Sequence, residues 1–195
     1  MKRLLLGTVL MGIMALPAMA ALQEGDSAPQ FTAQASRAGK VFTFSLEKAL
    51  RKGPVVVYFY PSAYTGGCDI EAHTFAQDSA KFAAAGATII GVSLDSIQRL
   101  NAFSADPKYC AGKFPTASDA RGTISSSYEV DVHQGPPGLK DVRGVAIGHG
   151  FADRTTFVIS RDGKIVSVIS KVSPAEHVAK ALQVVQRLHT KSQGA

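Results

Sequence analysis

Apolar and polar positions along the chain change period several times, and each change marks an element. Residues 31–36 and 41–44 alternate around Ala38-Gly39-Lys40, which predicts a hairpin, and 45–51 predicts one or two helical turns. The run Val55-Val56-Val57-Tyr58-Phe59-Tyr60 is apolar throughout and β-branched at its start, the pattern of a strand buried on both faces, and it stops at Pro61. Over 69–85, Ile70, Phe75 and Phe82 stand at near-helical spacing among alanines and polar residues, and Gly86 can close that helix in a left-handed cap. Residues 87–94 predict a second buried strand. A polar helical stretch over 97–103 follows, interrupted by Pro107, then a strand over 114–118 and a short helix over 123–128.

Residues 131–153 break the pattern. They hold Gly135, Pro136, Pro137, Gly138, Gly144, Gly148 and Gly150 with little periodicity, and so long a connection inside a compact domain is usually functional or mobile. Two strands over 155–160 and 165–170 then flank Arg161-Asp162-Gly163-Lys164, a hairpin signal. Ser173-Pro174-Ala175-Glu176 combines a capping box with proline at the first helical position, predicting a closing helix to about Thr190. Strands alternating with helices, followed by a hairpin and a last helix, describe an α/β architecture: a mixed central sheet with helices on both faces.

The amino end adds a location. Lys2 and Arg3 precede an apolar run over 4–16, then Pro17 and the small-residue pattern Ala18-Met19-Ala20, which reads as a cleavable secretory signal over 1–20. At 13 residues the run falls short of the about 20 that a spanning helix needs, which argues against a stable membrane anchor. Cleavage leaves 195 − 20 = 175 residues, one domain over 21–195, expected in the periplasm. Loss of Lys2 and Arg3 takes the formal charge from +6 to +4, with no basic run, which argues against a nucleic-acid partner.

Cys68 and Cys110 are the only cysteines. Cys68 follows a buried strand, a proline corner and Thr65-Gly66-Gly67, and lies where the next helix is predicted to begin. Unpaired N–H groups and the positive end of a helix dipole stabilise a thiolate there, so a depressed thiol pKa is expected. The segment Pro61-Ser62-Ala63-Tyr64-Thr65-Gly66-Gly67-Cys68 after the apolar strand closely resembles the signature of the peroxiredoxins, the AhpC/TSA superfamily. Pro61, Thr65 and Cys68 fall on its three fixed positions. The surrounding chain is most similar to the peroxiredoxin Q or bacterioferritin comigratory protein group. Gly25-Asp26-Ser27-Ala28-Pro29 with Phe31 resembles the family's opening, and Ser118-Asp119 with Tyr128-Glu129-Val130 resembles its middle.

The resemblance implies a thioredoxin-like fold and a thiol peroxidase acting on hydrogen peroxide or organic hydroperoxides, without metal or other cofactor. It implies that Cys68 attacks the peroxide, that Pro61 shields the thiolate from water and that Thr65 hydrogen-bonds at the peroxide. It implies further that Arg154, just before the strand Thr155-Thr156-Phe157-Val158-Ile159, supplies the cation, and that Glu71 pairs with that arginine. The reductant would be a thioredoxin-like protein or a small thiol, and the enzyme a monomer or homodimer.

In many of the peroxiredoxin Q group the resolving cysteine lies five residues after the peroxidatic one, where this chain has His73, so that route is absent. The surroundings of Cys110 resemble instead the helix that carries the resolving cysteine in thiol-peroxidase-type relatives, 110 − 68 = 42 residues downstream. Two readings of Cys110 stand at this point: partner of Cys68 in a catalytic disulfide, or inert buried residue in a one-Cys enzyme. His73, His133, His149, His177 and His189 show no metal-ligand spacing. The rival functions are a thiol–disulfide oxidoreductase of the same fold, which lacks the first cysteine of a C-x-x-C pair here, and a noncatalytic periplasmic binding domain.

Overall fold

A computed structural model describes residues 22–194, so the signal read over 1–20 lies outside the described residues. The chain runs β1 (Thr32–Arg37), β2 (Lys40–Ser45), α1 (Leu46–Leu50), β3 (Val55–Phe59), α2 (Gly66–Ala84), β4 (Thr88–Ser93), α3 (Ile97–Ala105), β5 (Thr116–Ser118) and α4 (Thr123–Ser127). It continues with β6 (Val132–His133), β7 (Phe151–Ala152), β8 (Thr155–Ile159), β9 (Ile165–Ser170) and α5 (Pro174–Gln193). Seven strands form one mixed sheet in the order β2-β1-β5-β4-β3-β8-β9, with β6 and β7 paired separately. β3, β4 and β5 run parallel, and β8 returns antiparallel against β3, setting Phe59 opposite Thr155.

β3 is the centre of the molecule. Val55, Val57 and Phe59 pack into the layer under α1 and α4, whereas Val56 and Tyr58, with Tyr60 beyond the strand, pack into the layer under α2, α3 and α5. All six are buried, which is why the segment reads as an unbroken apolar run. Helices therefore cover both faces of the sheet, and no described helix is long and apolar enough to cross a membrane.

Three placements differ from the sequence expectation. α2 begins at Gly66, three residues early, with Thr65 as its N-cap; the two glycines that weaken helix propensity here lie inside the first turn. Cys110 is not on a helix: α3 stops at Ala105, Asp106 is extended ahead of Pro107, and the cysteine sits in the turn that leads to β5. Residues 131–153, which carry little periodic signal, are pinned by the β6–β7 pair and by Asp141, whose buried carboxylate accepts from the backbone N–H groups of Arg143 (2.8 Å) and Val145 (3.0 Å).

Candidate active site

The end of β3 sets the site. Past Tyr60 the chain turns through Pro61, half-buried, and Tyr64 adopts a left-handed φ of +60° before α2 starts. Cys68 is the third residue of α2, so its N–H is among those without an intrahelical acceptor. Thr65 donates its hydroxyl to the carbonyl of Ser62 (2.7 Å) and holds the turn at the mouth of the helix.

Arg154, between β7 and β8, reaches this helix end and donates Nη2 to Cys68 Sγ at 3.3 Å. Its Nη1 is bound by the Glu71 carboxylate, one turn along α2, whose side chain is wholly buried. Cys68, Arg154 and Glu71 thus form one contiguous chain of contacts, with the Thr65 hydroxyl beside the sulfur, while Pro61 opens the turn that leads into α2. Gly67 gives the guanidinium room, since a Cβ there would lie 3.2 Å from Arg154 Nη2 and 3.4 Å from Pro174 Cγ. Gly66 faces open space, so only the second glycine is needed sterically.

Electrostatics correct one expectation. Cys68 is 3% exposed, and burial pushes its thiol above the ordinary value, against the pull of Arg154, the Ser62 backbone and the Thr65 hydroxyl. The helix start is a stabilising place for a thiolate, but at this depth desolvation outweighs it. Burial likewise pushes the Glu71 carboxyl up, with Arg154 opposing it. The arrangement can hold an anion at sulfur and can offer guanidinium donors and a hydroxyl acceptor to a substrate, the requirements of a displacement at a peroxide bond.

Cys110 is fully buried and, like Cys68, free. Burial, then Asp106 and Asp69, push its thiol well up. Both cysteines belong to the core between the sheet and α2, α3 and α5. The turn that carries Cys110 is tied to α2 by His73 Nδ1, 3.0 Å from the Lys108 carbonyl. The hydroxyls of Tyr58 on β3 and of Tyr60 just beyond it, whose rings stack, find no hydrogen-bond partner among the described residues.

Sequence reading missed a second group of residues behind the site. Asp95 accepts from the Ala63 N–H (2.8 Å) and the Ser62 hydroxyl (3.0 Å) and meets Arg99 Nε at 2.8 Å; Arg99 Nη2 donates to the Ala63 carbonyl (2.7 Å) and meets Asp141 at 2.8 Å. The i,i+4 spacing of Asp95 and Arg99 was the one local signal of this brace.

The family model described as AhpC/TSA family matches residues 25–168. The chain belongs to the AhpC/TSA family. Among its peroxiredoxin relatives, Peroxiredoxin Bcp of Xanthomonas campestris is 33% identical over 137 residues, covering 70% of this chain and 78% of that protein. Chloroplastic Peroxiredoxin Q of Sedum lineare is 31% identical over 170 residues, covering 87% and 81%. The crystal structure of Peroxidoxin BcpB from Mycobacterium tuberculosis superposes with a TM-score of 0.68 at 30% identity, covering 85% of this chain and 97% of that one. The thioredoxin-like fold expected from the Cys68 segment is the fold found, and the family places this chain among the thiol-dependent peroxidases.

Proposed function

We propose that Cys68 is the peroxidatic nucleophile of a peroxiredoxin that reduces hydrogen peroxide or an organic hydroperoxide. The Cys68 thiolate attacks one peroxide oxygen, the O–O bond breaks, and the other oxygen leaves as water or alcohol after taking a proton; sulfur is oxidised to sulfenic acid. Arg154 donates to the peroxide oxygens as charge moves onto the leaving one, Thr65 Oγ1, whose own proton goes to Ser62, accepts from the hydroperoxide O–H, Glu71 fixes Arg154, and Pro61 limits water at the sulfur. The observation that carries the reading is the Arg154 guanidinium, in contact with Cys68 Sγ through one nitrogen and held by a buried carboxylate through the other.

The sulfenic acid is resolved by Cys110. Its thiol attacks the Cys68 sulfur, water leaves, and a Cys68–Cys110 disulfide forms once the first turn of α2 unwinds; a thioredoxin-like protein or a small thiol then reduces it. Supporting this are the shared core and the tie from His73 to the Cys110 turn. A one-Cys cycle is the second reading, favoured by the complete burial of Cys110. The composition of residues 1–20 supports export to the periplasm, with the mature domain over 21–195 as a monomer or homodimer.

The test is reductant-dependent peroxide consumption by wild type, Cys68→Ser and Cys110→Ser, with intact-mass readout. Activity that vanishes in Cys68→Ser, and one turnover followed by accumulating sulfenic or sulfinic acid in Cys110→Ser, is the expected result. Normal turnover by Cys110→Ser replaces the two-Cys cycle with the one-Cys cycle. No peroxide consumption by wild type with any thiol donor overturns the peroxidase, and a noncatalytic binding domain takes its place.

A further inference from the structure

Segment 131–153 touches the Cys68 turn at two places. Val142 N–H donates to the Tyr64 carbonyl (3.0 Å), and the Arg143 guanidinium lies over the Tyr64 ring, 3.2 Å from its centroid, while Arg143 is itself bound to Asp141. At the far end of the segment, His149 is held between two oxygens. Nε2 lies 2.9 Å from Asp95 Oδ1 and Nδ1 2.8 Å from the Gly150 carbonyl.

The Ser62 hydroxyl also lies 3.4 Å from Nε2, but its proton goes to Asp95 Oδ1 at 3.0 Å, and the two nearer partners of the ring are acceptors. The Gly150 carbonyl has no proton to give. Asp95 already accepts from Ala63, Ser62 and Ser93 and is ion-paired with Arg99. Burial pushes the Asp95 carboxyl up, but its donors, His149 and the Ala63 N–H foremost, hold it below the ordinary carboxylate value, so it is an anion. Only an imidazolium satisfies two acceptors at once; a neutral ring turns a lone pair toward one of them.

The carboxylate that His149 holds is the one that braces Ser62. Ser62 is fully buried and joins both sides: its hydroxyl goes to Asp95, and its carbonyl accepts from Thr65, which faces Cys68. We propose that His149, as an imidazolium, is a positioning residue for Cys68, and that its deprotonation releases segment 131–153 from Asp95 and slows the reaction of Cys68. This rests on the reading of Cys68 as the reacting thiol.

The charges facing His149 are Asp95 and Arg99, with Arg121, Glu129 and Asp131 lining the open groove of about 860 Å³ onto which the ring borders. Burial and Arg99 favour the neutral ring, whereas the bonds to Asp95 and Gly150 favour the cation and carry its pKa above the ordinary histidine value.

The experiment compares wild type with His149→Gln, which keeps one donor for Asp95 and cannot titrate. The second-order rate of Cys68 with hydrogen peroxide is measured by quenched flow and intact mass from about pH 6 to about pH 9, and the same proteins are titrated with iodoacetamide. Because thiolate formation is common to both, their rate ratio isolates the histidine. The expected wild-type to variant ratio is about tenfold at the acid end, where the charged hydrogen bond is intact, and falls toward one as the ring deprotonates. A ratio that stays constant with pH overturns the proposal.

Nitrogen-15 chemical shifts of His149 in the wild-type protein provide a second test that needs no variant: a doubly protonated ring at about pH 7 is expected, and a neutral tautomer overturns the proposal. Should wild type consume no peroxide, the peroxidase reading fails, while the ring's protonation state still decides whether the imidazolium brace exists.

Discussion

Arg154→Met removes the cation in contact with the Cys68 sulfur and keeps much of the side-chain volume. The guanidinium donates to Sγ at 3.3 Å. Two unit charges about 4 Å apart interact by about 4 kcal/mol at an effective dielectric of about 20, and a hydrogen bond to a charged group nets about 1.5–3 kcal/mol. Glu71 shares the same guanidinium, which puts the expected loss of thiolate stabilisation at the lower part of that range, about 2 kcal/mol. At any pH below the thiol's pKa that is about thirtyfold less thiolate. The shift adds to the upward push that burial already exerts. Glu71 is left buried without its partner, and its carboxyl, pushed up by burial, takes up a proton, so the variant folds in neutral or mildly acidic buffer and loses stability as the pH is raised. The assay is the pH dependence of thiolate ultraviolet absorbance and of iodoacetamide alkylation at Cys68, with peroxide oxidation followed in parallel. A variant that titrates like wild type refutes the reasoning. A slower peroxide reaction with an unchanged thiol titration would assign Arg154 to the leaving oxygen alone.

Three further outcomes follow from the packing around this site. His177, fully buried with Nδ1 2.9 Å from Thr156 Oγ1, is pushed down to about 4 by burial and then by Arg154. The unfolded chain therefore takes up a proton near 6.5 that the folded one refuses until about 4, so stability is lost as the pH is lowered through that window, by up to about 3 kcal/mol; urea unfolding of His177→Gln should show a shallower acid limb, and parallel curves would contradict it. Gly91→Ala sets a Cβ 2.7 Å from the Tyr58 ring and should cost about 1–3 kcal/mol in urea unfolding; an unchanged midpoint would show that the ring moves freely. Gly67→Ala should raise helix stability by up to about 1 kcal/mol while crowding Arg154, so that the peroxide rate of Cys68 falls severalfold without loss of fold; unimpaired oxidation would mean that the guanidinium yields at no cost.

Much of this molecule was legible because the information is local. β3 announces itself by five consecutive apolar side chains that run on into Tyr60, since both its faces are covered, and α5 by a capping box whose two reciprocal bonds the structure contains. The Cys68 turn was legible as a motif, although the room that Gly67 makes for Arg154 was not. Its energetics were not: the helix-start argument predicts a lowered thiol, and the sequence carries no measure of how deeply Cys68 lies. Depth is a property of the whole packed layer, so an argument from position along one helix could not weigh desolvation against the dipole.

The brace behind the site shows a second limit. Asp95 follows a buried strand, where it looks like an ordinary residue ahead of a helix, yet it is wholly buried and holds Ser62 and Ala63 on one side and His149 on the other. Those partners lie 33, 32 and 54 residues away along the chain, and no periodicity records such pairings. The aperiodic segment 131–153 was the place to look for them. A stretch that cannot bury a regular apolar face must be fixed by specific polar contacts or not at all, and here Asp141 and His149 supply them. Because those contacts end on the residues that shape the Cys68 turn, a segment without secondary-structure signal is bound to the geometry of the thiol, and its protonation state becomes a variable of the site.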